Sequence, residues 1–159
     1  MYIVSDLKLR YNFAYLKRLV SALALAFMVS FAWVFITRNQ YDYNYSFANI
    51  FGLSSYPLLL WAVCLFFIFL VSEEFEKKFK INSFVKYFLG FTILYAISIL
   101  VIETLGYYLL GVHNLGTLGY SGLPVCDCLH APTWMQAGYF INGPLYFLIC
   151  SFLKKNHII

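Results

Sequence analysis

Four apolar runs, separated by polar or charged connections, organise the chain. The first covers residues 19–37 and follows Lys8, Arg10, Lys17 and Arg18. Its charged front resembles that of a secretory signal. It ends, however, on Ala32, Trp33, Val34, Phe35 and Ile36 rather than on small residues before a polar start, so it reads as an uncleaved anchor. The second run opens on Ser54, Ser55, Tyr56 and Pro57, a serine cap with proline in the first turn, where the missing N–H costs nothing. Its strictly apolar part, residues 58–71, is shorter than the roughly 20 residues a span needs, and the helix is expected to continue through Glu73 and Glu74 into the headgroups. Glu73 with Lys77, Glu74 with Lys78 and Glu76 with Lys80 are i,i+4 pairs in the favourable order. The third run, residues 84–112, is long enough to span with tilt. The fourth begins at Pro132 or Thr133 and ends before Lys154 and Lys155. Proline at 144 removes a backbone donor and crowds the Phe140 carbonyl, so Asn142, Gly143 and Pro144 predict a kink near its middle. The expected fold is an all-α integral membrane protein: a four-transmembrane-helix bundle with a kinked fourth helix, a single membrane domain over residues 1–159, with helices at about 15–37, 56–79, 84–112 and 132–153.

Composition strengthens this reading. The chain is 62% hydrophobic, 21% aromatic and 11% charged, against a charged share of roughly a quarter in soluble domains. The lipid bilayer is the solvent that such a surface requires. The net charge of +4 does not point to nucleic acid, because the basic residues flank apolar runs instead of sharing one folded surface. Lys8, Arg10, Lys17, Arg18, Lys77, Lys78, Lys80, Lys86, Lys154 and Lys155 fall on one side of the expected spans, and Arg38 alone falls on the other. The positive-inside rule makes the rich side cytoplasmic, with both termini there and connections 38–55 and 113–131 extracytoplasmic. The first of these connections carries Tyr41, Tyr43, Tyr45, Phe47 and Phe51, which fit an aromatic belt at the headgroups or, less simply, a short strand or partner-binding ribbon. Asn44, Tyr45 and Ser46 also form a glycosylation tripeptide, relevant only in a eukaryotic secretory route.

Three features carry candidate chemistry. Connection 113–131 contains Cys126, Cys128 and His130, with His113 upstream. Thiolates and imidazoles suit zinc or copper, and these four residues are candidate metal ligands. One residue separates the cysteines, whereas zinc sites usually place two to four between them. An oxidising compartment equally permits a Cys126–Cys128 disulfide, structural or redox-active, and plain loop cysteines are the third reading. Cys64 and Cys150 read as small buried hydrophobes. The second feature is Glu103, about 12 Å along its helix from the outer end. A carboxylate at that depth costs roughly 2.5–3.5 kcal/mol, so it should face the bundle interior or a cavity. Tyr107 lies one turn further out on the same face. The third feature is Asn142, beside the proline, where broken helices line sites in some transporters. Glu103, Tyr107 and Asn142 are candidate catalytic residues; helix-to-helix hydrogen bonding is the structural alternative for Glu103.

No nucleotide-binding glycine loop, Gly-x-Ser-x-Gly elbow or His-Glu-x-x-His pair is present, and no internal repeat is evident. Three functions from different classes follow. The first is an accessory or assembly subunit with a membrane-protein partner or as a homo-oligomer. The second is a membrane-embedded enzyme on a lipid or isoprenoid substrate using Glu103, and the third is an extracytoplasmic metal-binding or thiol-redox protein.

Overall fold

The structure, a computed structural model, describes residues 2–45, 48–50 and 52–155, with side chains from Tyr15 onward. Phe47, Phe51 and Ser46 of the glycosylation tripeptide lie outside the described residues, as do the side chains of Lys8 and Arg10. The chain is mostly helical: α1 (Tyr2–Ile36), α2 (Ser55–Phe79), α3 (Phe84–Thr104) and α4 (Thr133–Lys155), with a two-residue hairpin of β1 (Asn49–Ile50) and β2 (Leu53–Ser54). Three stretches, Tyr15–Ile36, Ser55–Phe79 and Phe84–Leu109, are long and apolar enough to cross a membrane. Helix α4 is not, because Gln136, Asn142, Gly143 and Pro144 dilute its apolar content.

The helix ends follow from local chemistry. Ser54 precedes α2 in extended conformation but makes no side-chain cap bond; the Ser55 N–H donates instead to the Ala48 carbonyl at 2.8 Å. Lys80 ends α2 in the left-handed region at φ 47°, and Ser83 caps α3 by accepting from the Lys86 N–H. Beyond Thr104 the helix widens: Leu110 N–H reaches back five residues to the Leu105 carbonyl at 3.0 Å, and Val112 N–H six residues to Gly106 at 2.9 Å. Single wide turns of this kind cluster at functional sites.

Helix α1 packs chiefly on α2, and α4 joins α3 and α1. The core is built from Ala22, Ala26 and Val34 of α1, Leu65 and Phe69 of α2, Phe91 and Tyr95 of α3, and Met135, Tyr146 and Phe147 of α4. Two hydroxyls fasten α4 inside it. Tyr146 donates to the Ala22 carbonyl at 2.9 Å, and Tyr95 to the Tyr139 carbonyl at 2.7 Å. Helix α4 is assigned without interruption through Pro144, and Tyr95 supplies a donor in the turn before it.

The two ends are organised differently. At one, the nearly buried Glu73 of α2 is ion-paired with Arg18 of α1 and lies 4.0 Å from Lys154 of α4, which is also 3.9 Å from Glu76. This cluster replaces the expected pairing of Glu73 with Lys77 and Glu76 with Lys80, because Glu73 faces neighbouring helices rather than the α2 surface. Glu74 pairs with Lys77 at 2.6 Å, one residue short of the expected Lys78. At the other end, the connections before α2 and before α4 are knitted together. Tyr43 and Asn114 form an antiparallel bridge. Asn44 Oδ1 accepts the His113 N–H at 2.8 Å, and its Nδ2 donates to the Gly111 carbonyl at 2.8 Å.

Candidate functional site

The knitted end encloses a cavity of about 70 Å³. Its walls are aromatic: Tyr41 and Tyr43 from the first connection, Tyr56 and Trp61 from α2, Tyr107 from the widened end of α3 and Tyr139 from α4. Glu103 contributes the carboxylate, and Asn114, Thr117 and His130 add polar groups from the second connection. Among the described lining residues there is no Lys or Arg.

Long-range pairing turns Tyr41 and Tyr43 inward. Trp33 Nε1 donates to the Tyr41 hydroxyl at 3.1 Å, and the Tyr43 ring stacks on Tyr41 and meets Tyr56 edge-on, with centroids 6.0 and 5.0 Å apart. An aromatic belt at the headgroups would have pointed these rings outward; of the described aromatics in this connection, Tyr45 is the exposed one, at 50%. Burial raises the Tyr43 phenol well above its ordinary range, and the charges of Tyr41, Glu103 and Tyr56 push it further in the same direction. Burial also raises Tyr41, against the opposing effect of its hydrogen bonds with Thr37, Tyr139, Trp33 and Trp61. Beneath them Trp61 stacks on Tyr139 at 5.3 Å, and Trp33 meets Tyr139 edge-on at 5.6 Å, forming an aromatic floor.

A second, partly open crevice of about 30 Å³ runs between α2 and α3, lined by Cys64, Ile68, Tyr95 and Ile99. It shares Leu60, Trp61, Ile102 and Glu103 with the cavity at the knitted end. Glu103 therefore stands where an apolar passage between helices meets a polar, aromatic chamber at the bundle end. Among the described residues, no Lys, Arg or His forms an ion pair with it.

Of the other candidate residues, Tyr107 lines the chamber beside Glu103, whereas Asn142 lines neither space. Asn142 is buried on α4, and its Nδ2 has no hydrogen-bond partner among the described residues. Cys126 and Cys128 are joined in a disulfide, with Cα atoms 5.1 Å apart. The zinc or copper expectation loses both sulfur ligands to that bond. His130 is committed as well: Nδ1 faces the Tyr120 carbonyl at 2.8 Å and Nε2 the Asp127 carbonyl at 3.0 Å. Its ring stacks on Tyr107 at 5.1 Å, and His113 packs edge-on against the same Tyr107 at 4.3 Å. Among the described residues no group of three or more His, Cys, Asp or Glu side chains converges as a metal ion requires. The loop is instead a rigid wall for the chamber. Asp127 and Leu129 adopt left-handed backbone at φ 44° and 57°, a conformation that costs a non-glycine residue roughly 1–2 kcal/mol. The disulfide, the Leu123 N–H bond to the Cys128 carbonyl and the burial of Leu129 hold it there. Cys64 and Cys150 are free, Cys150 buried and Cys64 lining the lateral crevice.

Compared with family models, curated proteins and solved structures, the chain finds no match in any of the three.

Proposed function

We propose that the chain crosses the membrane four times with both termini cytoplasmic, and that it binds and acts on a lipid or isoprenoid substrate that reaches Glu103 from the side. The observation that carries the substrate reading is the sharing of Glu103 by the lateral crevice and the outer chamber. An unpaired carboxyl within a spanning segment is expensive, and such groups mark sites by default. Here it has an apolar approach on one side and a polar one on the other, the arrangement an amphiphilic molecule needs. Tyr107 is the second group placed to touch such a molecule.

The fourth crossing is supported by α4 itself. It starts from the knitted end and reaches the Arg18–Glu73–Lys154 cluster at the other, so its 23 residues cover the same distance as its neighbours. Its polar residues are tolerable in a span because the side carrying Met135, Tyr139, Asn142, Gly143 and Tyr146 is buried against protein, not lipid. Proline at 144 is admissible in the same setting, with the bend expected there a feature of this proposal. The accessory-subunit and homo-oligomer expectations draw no comparable support. The exposed line Val85, Leu89, Ile93, Ile97 and Val101 along α3 is what contact with lipid alone requires.

The test is lipid analysis of cells carrying Glu103→Gln beside wild type, with the purified proteins compared by melting. Glu103→Gln is expected to melt at or above the wild-type temperature, since it removes an ionisable group buried without an ion-pair partner among the described residues, and to lose the lipid change that the wild type produces. Unchanged lipid profiles in a folded Glu103→Gln protein would overturn the reading.

A further inference from the structure

We infer that the substrate at this site is an amphiphile with an ammonium head group, the cation held against Glu103 among the aromatic walls and its hydrocarbon chain lying in the crevice between α2 and α3. The inference rests on the function proposed above and adds the chemical class of the head group.

Charge sets the sign. Among its described lining residues the chamber has one carboxylate and no Lys or Arg. His130, the one basic side chain among the described lining residues, has both ring nitrogens on backbone carbonyls, its Nε2 also 3.9 Å from Asp127 Oδ1, and its face on Tyr107, so it has no free N–H for an anion. A phosphate or carboxylate head would enter with no Lys or Arg to receive it, beside an acid that repels it. A cation would meet the one group in the chamber that lacks an ion-pair partner among the described residues.

Aromatic placement sets the type of cation. Tyr41, Tyr43, Tyr56, Trp61, Tyr107 and Tyr139 line one small space. Ring quadrupoles attract a cation over their faces, most strongly where water is excluded, and several rings around one anion form the recognised cage for alkylated ammonium. A strongly hydrated metal ion needs several oxygen ligands, and among the described residues no group of acidic or imidazole side chains provides them. An alkylated nitrogen needs few hydrogen bonds and gains from apolar ring contact.

The crevice supplies the tail. From Leu60 to Ile68 it follows α2 for about 12 Å at 1.5 Å per residue, between side chains that are apolar apart from Glu103, Tyr95 and Cys64. It ends on Glu103, so a chain lying in it delivers its head to the carboxylate.

The experiment uses the full chain in a non-ionic detergent, with binding followed by tryptophan emission, since Trp61 lines both spaces. The probes are decyltrimethylammonium, decanol, decyl sulfate and free tetramethylammonium. Decyltrimethylammonium is expected to saturate and to bind roughly tenfold or more tightly than each of the other three, with Glu103→Gln removing about that advantage. Decanol or decyl sulfate binding as tightly as the ammonium amphiphile would overturn the head-group assignment while leaving a lipid site at Glu103 in place. Tetramethylammonium binding as tightly would overturn the role of the crevice. If none of the amphiphiles binds, the lipid-site reading falls with it. The comparison of probes is made on the wild-type protein, so the inference is decided even if Glu103→Gln does not fold.

Discussion

Asn114 spends both ends of its amide on the first connection. Its Oδ1 accepts the Asp42 N–H at 2.9 Å and its Nδ2 donates to the Gln40 carbonyl at 2.9 Å, while its backbone bridges Tyr43. One side chain therefore fixes the segment that carries Tyr41 and Tyr43 into the chamber. Asn114→Ala leaves a donor and an acceptor unpaired; because part of this region is exposed, water recovers some of the loss, and a destabilisation of about 1–2 kcal/mol is expected. Asn114→Asp keeps the acceptor but sets a carboxylate oxygen against the Gln40 carbonyl in place of the donor, and should also melt below wild type. Thermal melting of the three proteins in one detergent checks the order. A melting temperature for Asn114→Ala equal to wild type would mean that the Tyr43 bridge and the Asn44 bonds hold the connection without it.

Helix α4 depends on two glycines for its fit. A Cβ at Gly138 would enter the Trp33 ring and one at Gly143 the Tyr95 ring, whereas a Cβ at Gly90 of α3 meets nothing within 4 Å. Two effects compete in a Gly→Ala change inside a helix: a propensity gain of about 1 kcal/mol and an overpacking cost of about 1–3 kcal/mol where the space is filled. At Gly90 only the gain operates; at Gly138 and Gly143 the cost wins, since a buried tryptophan and a buried tyrosine fastened to the Tyr139 carbonyl cannot withdraw freely. Melting should therefore rise for Gly90→Ala and fall for Gly138→Ala and Gly143→Ala. Equal shifts at all three positions would show that ring contact does not govern α4 packing. This is also where sequence legibility divides. The apolar runs of α1, α2 and α3 were readable because the length and polarity of a span are set by the solvent, and solvent acts on local composition. The depth of Glu103 was readable for the same reason. The inward turn of Tyr41 and Tyr43 was not. It depends on Asn114, more than seventy positions away, and alternation of tyrosines in a loop fits a headgroup belt equally well. The exchange of Lys77 for Arg18 as the partner of Glu73 has the same origin: spacing along one helix cannot report which neighbouring helix supplies a closer charge.

The molecule as a whole has two unlike ends, and this determines how its path through a membrane can be tested. One end gathers Arg18, Glu73, Glu76 and Lys154 from three helices; the other joins two connections by direct hydrogen bonds. Residues that share an end share a side of the bilayer. Ten of the eleven Lys and Arg residues belong with the ion-paired end and its connection, and Arg38 with the knitted end, and under the positive-inside rule this asymmetry is the ground for the proposed cytoplasmic side. Two exposed positions report the sides separately: Asn82 in the turn between α2 and α3, and Gly119 in the connection before α4, where an added Cβ meets nothing. A membrane-impermeant maleimide is expected to label Gly119→Cys in intact cells and Asn82→Cys only after permeabilisation. The disulfide removes Cys126 and Cys128 from the background, burial shields Cys150, and Cys64→Ala in both proteins removes the remaining free thiol. A reporter fused after Ile159 decides the fourth crossing. With α4 spanning, the reporter lies on the side of Asn82; with three spans, it lies on the side of Gly119. The second outcome would leave Lys154 across the membrane from Arg18, against the cluster in which both approach Glu73, so the reporter tests the ion-paired end and the four-span path together.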